Sequence, residues 1–216
     1  LDDLRFGLAS RNTIENISVN SNASDKQKKQ DGNYFDSLIN FDFFYDKRNQ
    51  RYQTTSGFFS KYSVDVPIIS DTNTLTNTYN YKLFKELYEN NVSTFSFLFK
   101  GASSLTDDDI KLSERLYIPG RKLRGFESGK IGPKDGSDYI GGNYMSVLNA
   151  TTTIPKILEN VQSVDVVMFA DAANIWGVDY NSSLDKSGIR SSIGIGLDWL
   201  TPVGPLTFSL AQPITK

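Results

Sequence analysis

Phe35-Asp36-Ser37-Leu38-Ile39-Asn40-Phe41-Asp42-Phe43-Phe44-Tyr45-Asp46 decides the fold. Phe35, Ile39, Phe41, Phe43 and Tyr45 share one phase of a two-residue repeat, and Asp36, Asn40, Asp42 and Asp46 share the other. Successive side chains of a strand point to opposite faces, so this stretch predicts a β-strand with one apolar and one polar face. The pattern recurs. Ile193, Ile195, Leu197 and Trp199 oppose Arg190, Ser192, Gly194, Gly196 and Asp198, while Leu206, Phe208 and Leu210 oppose Thr207, Ser209 and Ala211. Working outward predicts nine strands, over residues 4–14, 34–46, 54–68, 76–87, 91–102, 143–155, 161–176, 188–200 and 205–212. The fourth carries Tyr, Lys and Phe on both phases, so its faces are ambiguous.

The connections narrow the architecture. Longer polar segments (15–33, 69–75, 103–142 and 177–187) alternate with shorter ones (47–53, 88–90, 156–160 and 201–204). Long loops at one end and short turns at the other describe a transmembrane β-barrel of the outer-membrane kind. Composition agrees. Only 38% of the 216 residues are hydrophobic although 12% are aromatic, which suits a thin apolar band with a wet opposite face. The longest apolar run, Val166 to Ala170, is far short of the ~18 residues a spanning helix needs. Tyr45, Tyr62, Trp176 and Trp199 are candidates for interfacial aromatic girdles.

Single-chain bacterial barrels have an even strand count. Nine strands therefore predict a partial barrel, residues 1–216 forming one domain of a larger, even-numbered one. The last strand is expected to be missing.

Composition also excludes functions. The formal net charge of −2 gives no basic excess for nucleic acid. Zero His removes the usual general base and the commonest metal ligand. Zero Cys removes disulfides and thiolate sites. The Asp107-Asp108-Asp109 run lacks EF-hand spacing. The glycines Gly125, Gly129, Gly132 and Gly136 lack the strand-to-helix setting of a phosphate cradle. Neither an enzyme, a metal nor a cofactor is expected. Lys26, Lys28 and Lys29 read as solvated, within reach of lipopolysaccharide phosphates.

Leu123-Arg124-Gly125-Phe126 lies in the long segment 103–142. An Arg beside a Gly, flanked by Leu and Phe, suits a loop tip that folds inward onto a buried acid. The ordered set of motifs resembles the BamA family, the outer-membrane protein assembly factors, also called the bacterial surface antigen barrel. Leu123-Arg124-Gly125-Phe126 matches its [VL]-R-G-[FY] loop, followed in order by Ile131-Gly132-Pro133-Lys134 and Gly141-Gly142-Asn143. Phe169-Ala170-Asp171-Ala172-Ala173 matches its aromatic-x-Asp-x-Gly strand, with Ala173 in place of the Gly. Trp199 to Leu206 and Ala211-Gln212-Pro213 resemble its last hairpin. Tyr45 to Asn49 with Thr54-Thr55-Ser56-Gly57 resembles a family turn, with Thr54 where Pro is common. The first thirty residues carry little of the likeness.

The resemblance implies that the whole is a sixteen-stranded barrel, that the long loop folds into it and that Arg124 meets Asp171. Asp171 shares a phase with Asp165, opposite Val164, Val166 and Met168; the apolar set should face lipid and Asp171 the lumen. A planar guanidinium can grip a carboxylate with two parallel bonds. Breaking such a buried pair costs ~3–5 kcal/mol, and in a wet lumen ~1–3 kcal/mol. The family implies localisation in the bacterial outer membrane and a role in protein insertion into membranes, folding other β-barrels without ATP. The implied partners are nascent outer-membrane proteins, accessory lipoproteins, periplasmic chaperones, the lipid bilayer and lipopolysaccharide. A paralogous translocation barrel, TamA-like or a two-partner secretion pore, is the alternative; a porin or barrel enzyme fits the residues less well.

Overall fold

A computed structural model of the chain describes residues 3–89, 91–106, 108–154, 164–186 and 188–215. The turn expected at 156–160, the first residues of the strand expected at 161–176, Asp107 and the Lys26 side chain lie outside the described residues.

Nine strands form one antiparallel sheet in simple sequential order. They are β1 (Leu4–Ile17), β2 (Gly32–Asp46), β3 (Gly57–Ser70), β4 (Thr74–Tyr88), β5 (Asn91–Ser104), β8 (Tyr144–Thr153), β9 (Val164–Trp176), β10 (Arg190–Thr201) and β11 (Gly204–Thr215). Between β5 and β8, β6 (Lys134–Asp135) and β7 (Asp138–Tyr139) form a separate small hairpin inside the long loop. Every wall pairing joins chain neighbours, as expected of an up-and-down barrel wall. The all-β, antiparallel fold read from the alternation is the fold observed, with β1 and β11 the two edges of the described sheet.

The outer face is apolar. Phe41, Phe43 and Tyr45 on β2, Met168 on β9, Ile193, Ile195, Leu197 and Trp199 on β10 and Phe208 on β11 are exposed there. Rings meet across strands: Phe6 with Phe43, Phe43 with Tyr62, and Phe58 with Tyr45 and Tyr81. Trp176 stacks on Tyr144, with ring centroids 6.0 Å apart. The ambiguity of β4 resolves in its register. Lys82 pairs with Phe59 and Ser96 on the inner face, while Tyr79 pairs with Tyr62 and Phe99 on the outer.

Two features differ from expectation. Loop length does not sort cleanly by end. The connection expected at 69–75 shrinks to three residues, because Asp71 accepts from the Phe35 amide at 2.7 Å and Thr72 binds Asp36, prolonging β3 and β4. The short turn expected at 47–53 runs to residue 56, held by the Asn49 side chain on Thr55 and Ser56. The inner face is also not uniformly wet. Met145 and Val147 on β8 and Ala173 and Ile175 on β9 are buried with Leu98, Ile118, Leu123 and Ile131 in an apolar core between wall and loop.

Candidate functional site

The segment between β5 and β8 folds back across the inner face of the wall. Its re-entry is fixed by Gly141-Gly142-Asn143. Leu116 and Gly142 exchange backbone bonds of 2.8 and 3.0 Å. A Cβ at Gly141 would lie 2.5 Å from the Leu116 carbonyl, and one at Gly142 would lie 2.6 Å from that of Trp176. Only glycine permits this approach of three backbones. Asn143 is buried, donates its amide to Gly177 and takes Arg115 on its side-chain oxygen. Ile131 enters the apolar core and Pro133 is fully buried. Gly132, at φ +102°, packs on Ile175.

At the loop's inner end Leu123 is fully buried, and Phe126 packs against the same core. Between them Arg124 reaches β9. Its Nε donates to Asp171 Oδ2 and its Nη2 to Oδ1, both at 2.7 Å, and its backbone N–H donates to Oδ2 at 3.1 Å. This is the two-pronged guanidinium–carboxylate geometry. Asn149, directly opposite Asp171 on β8, supplies a fourth donor at 2.8 Å and gives the same amide to the Lys122 carbonyl at 2.7 Å. The Asp171 side chain has no solvent exposure and that of Arg124 has 16%. The site is therefore drier than a water-filled lumen suggests, and the larger energetic expectation for a buried pair applies.

Phe169 explains the aromatic position of its motif. The Arg124 guanidinium carbon lies 3.3 Å from the centre of its ring. Phe169 stands opposite Gly194 on β10, where a Cβ would come within 2.5 Å of the ring. Arg124, Phe169 and Gly194 thus stack, with no room for a side chain at the last. Gly125, at φ +85°, lies against Ala211 and Pro213 of β11, where a Cβ would sit 3.0 Å from Ala211 Cβ.

Two further cations fasten the loop and were not singled out in the sequence. Lys111 is buried, 2.7 Å from Asp36 on β2 and 3.1 Å from Glu15 on β1. Burial alone would lower its pKa, but the two carboxylates outweigh burial and raise it. Arg115 is paired with Asp179, just beyond β9, and stacks on Tyr180. Burial raises the pKa of Tyr180 to about 12, with the neighbouring Asp135 carboxylate adding to it. The signal that could have found Lys111 is a charge flanked by apolar residues, Ile110-Lys111-Leu112; Arg115, between Glu114 and Leu116, carries no such mark.

An antiparallel transmembrane barrel wall, carrying a long loop folded inward and fastened to a strand through an Arg–Asp pair, defines the class of protein. The sequence matches the Omp85 superfamily domain over residues 3–216, and the chain belongs to that superfamily. It is 22% identical over 223 residues to the outer membrane protein assembly factor BamA of Neorickettsia risticii, covering all of this chain and 30% of that protein. It is 31% identical over 137 residues to BamA of Neisseria meningitidis, covering 50% of this chain and 17% of that one. The crystal structure of BamA from Haemophilus ducreyi lacking POTRA domains 1–3 superposes with a TM-score of 0.86 at 24% identity, over all of this chain and 48% of that one. The chain thus spans less than a third of the length of these curated relatives.

Proposed function

We propose that this chain is barrel wall of an outer-membrane assembly factor, which folds and inserts other β-barrel proteins into the bacterial outer membrane without catalytic chemistry of its own. Its relatives are named as such factors. The observation that carries the reading is the in-folded loop, docked through Arg124 on Asp171. In this reading Leu123, Phe126, Ile131 and Pro133 bury the loop, and Gly132, Gly141, Gly142 and Asn143 let its backbone pass close to the wall. Arg124, Phe169 and Asp171 then fix its tip. The clients are nascent outer-membrane strands, delivered by periplasmic chaperones and accessory lipoproteins. The surroundings are lipid and lipopolysaccharide. A barrel whose lumen is braced in this way can yield at its edges and offer them for strand pairing.

The test is reconstitution of the intact protein in vesicles with an unfolded barrel client, with protease protection of the client as the readout. Assembly above the rate of empty vesicles, lost on Arg124→Ala, is the expected result. Client assembly no faster than in empty vesicles would overturn the proposal.

A further inference from the structure

The outer face of the wall carries one rung of mixed character. Lys85 on β4 faces Ser93 on β5, and Ser93 faces Thr152 on β8; Thr152 faces Met168 on β9, Met168 faces Ile195 on β10, and Ile195 faces Leu210 on β11. Directly opposed residues of an antiparallel sheet point to the same side. Met168, Ile195 and Leu210 are exposed on the face opposite that of Asp171, so the whole rung looks toward lipid. The rung also slopes. Leu210 stands in the middle of β11, whereas Ser93 is near the start of β5, Thr152 is next to the end of β8 and Lys85 is near the end of β4. Its polar half therefore reaches the end of the wall away from the one where the long loop folds in, the periplasmic end of an outer-membrane barrel.

A groove of about 800 Å³ opens on the same face. Its floor is Ala150 and Ala170, cross-strand partners whose methyl groups leave a dent between Phe95 on one side and Ile193 on the other. Met168, Ile195 and Leu210 supply further apolar lining, and Ser93 and Thr152 form the lower, polar end. The volume falls within the ~300–1,000 Å³ of small-molecule sites. The two hydroxyls lie 2.8 Å apart, and Asn91 donates to that of Thr152 at 3.0 Å, which fixes their position. Lys85 is exposed one strand beyond Ser93, about 5 Å away between backbones. A cation on the lipid face is costly at the bilayer midplane and nearly free at the interface. Near the end of β4, the stem of Lys85 covers apolar surface and its ammonium meets the headgroup layer. Any further strand of a barrel would lie beside β1 or β11, not over this face.

We propose that this face binds one acidic glycerophospholipid of the periplasmic leaflet, its phosphate at Lys85 and Ser93 and one acyl chain in the groove floored by Ala150 and Ala170. Charge complementarity selects the occupant. The groove alone would take any alkyl chain, through many small dispersion contacts with its lining. The ammonium at its lower end favours a headgroup of net negative charge over a zwitterionic one. An ammonium binds phosphate as a point charge, so Lys85 needs no fixed fork. Ser93 stands between Lys85 and Thr152 and joins the headgroup position to the groove. The inference rests on the lipid-facing orientation of the wall and does not depend on the assembly activity.

The test uses the intact protein in phosphatidylcholine nanodiscs, with a bimane fluorophore attached through Leu148→Cys. Leu148 is exposed on the same face of β8 as Ala150, beside the groove. The disc carries the same small fraction of either chain-brominated phosphatidylglycerol or chain-brominated phosphatidylcholine, and bromine quenches the fluorophore on contact. Phosphatidylglycerol should quench as though ~5-fold enriched at the site. Lys85→Gln should bring it down to the level of phosphatidylcholine, and Lys85→Arg should retain the preference. Lys82→Gln, which removes a charge from the inner phase of the same strand, should leave it unchanged. Ala170→Leu, which fills the groove, should also remove it. Equal quenching by the two lipids without these substitutions, or a preference that survives Lys85→Gln or Ala170→Leu, would overturn the proposal.

Discussion

Asn149 and Asp171 stand opposite each other on β8 and β9, and the Asn149 amide joins the Asp171 carboxylate to the Lys122 carbonyl of the loop. One side chain thus ties two wall strands and the loop together. Asn149→Ala leaves a buried carbonyl and one carboxylate lone pair unmatched. Such a loss costs ~1–3 kcal/mol. Hydrogen exchange of the intact protein should show faster opening of residues 120–126, with strand pairing at β1–β3 unaffected.

Lys111 is the loop's tether to the opposite part of the wall. Lys111→Met removes the charge but keeps the stem, leaving Asp36 buried beside only the hydroxyls of Ser70 and Thr72. Breaking one side of a buried ion pair costs ~3 kcal/mol. The midpoint of heat-induced unfolding, read by gel mobility, should fall. Lys111→Met/Asp36→Asn should recover part of the loss.

The stack of Arg124, Phe169 and Gly194 makes Gly194 a sensitive position far from the loop in sequence. A Cβ there would also lie 2.1 Å from the Leu210 carbonyl. Gly194→Ala should cost ~1–3 kcal/mol through displacement of β10 and the Phe169 ring. It should weaken the Arg124 contact although it removes no atom of it. Gly188→Ala is the control for space, since a Cβ there would meet only Arg190 Nη1 at 3.6 Å, an ordinary van der Waals contact.

The Arg115–Asp179 tether gives a pH dependence of definite sign. Burial raises the pKa of Asp179, but the Ile110 N–H and the Arg115 guanidinium more than offset it and leave the carboxyl below its ordinary 3.8. A carboxyl depressed by folding contributes stability that is fully present above its unfolded pKa and lost as pH falls through the folded value. Fluorescence of Trp176, in a Trp199→Phe background, should therefore be flat from neutral pH down to about 4 and change below it. Asp179→Asn should abolish that acid step at a cost in stability at neutral pH.

The sequence exposed the wall because alternation is a direct image of two unlike solvents. Where both faces of a strand are apolar the image fades. Phe169, Ala173 and Ile175 face the loop rather than water, so the apolar core inside the lumen was not legible. Arg124 and Asp171 were found through motif resemblance, whereas Lys111 and Arg115 sit in a loop without period, where the apolar neighbours of Lys111 mark burial but not the strand it meets. Asn149 was missed because an amide on a strand reads as ordinary; its meaning lies in the cross-strand partner, which only pairing reveals.

The central claim is that Arg124 and Asp171 hold the in-folded loop to the wall as one unit. The most direct test is a double-mutant cycle in the intact protein, with Arg124→Ala, Asp171→Ala and the double variant compared by unfolding free energy. Each single change should cost ~3 kcal/mol. The double change should cost ~1–3 kcal/mol less than the sum of the singles. Strict additivity of the two losses would contradict the account.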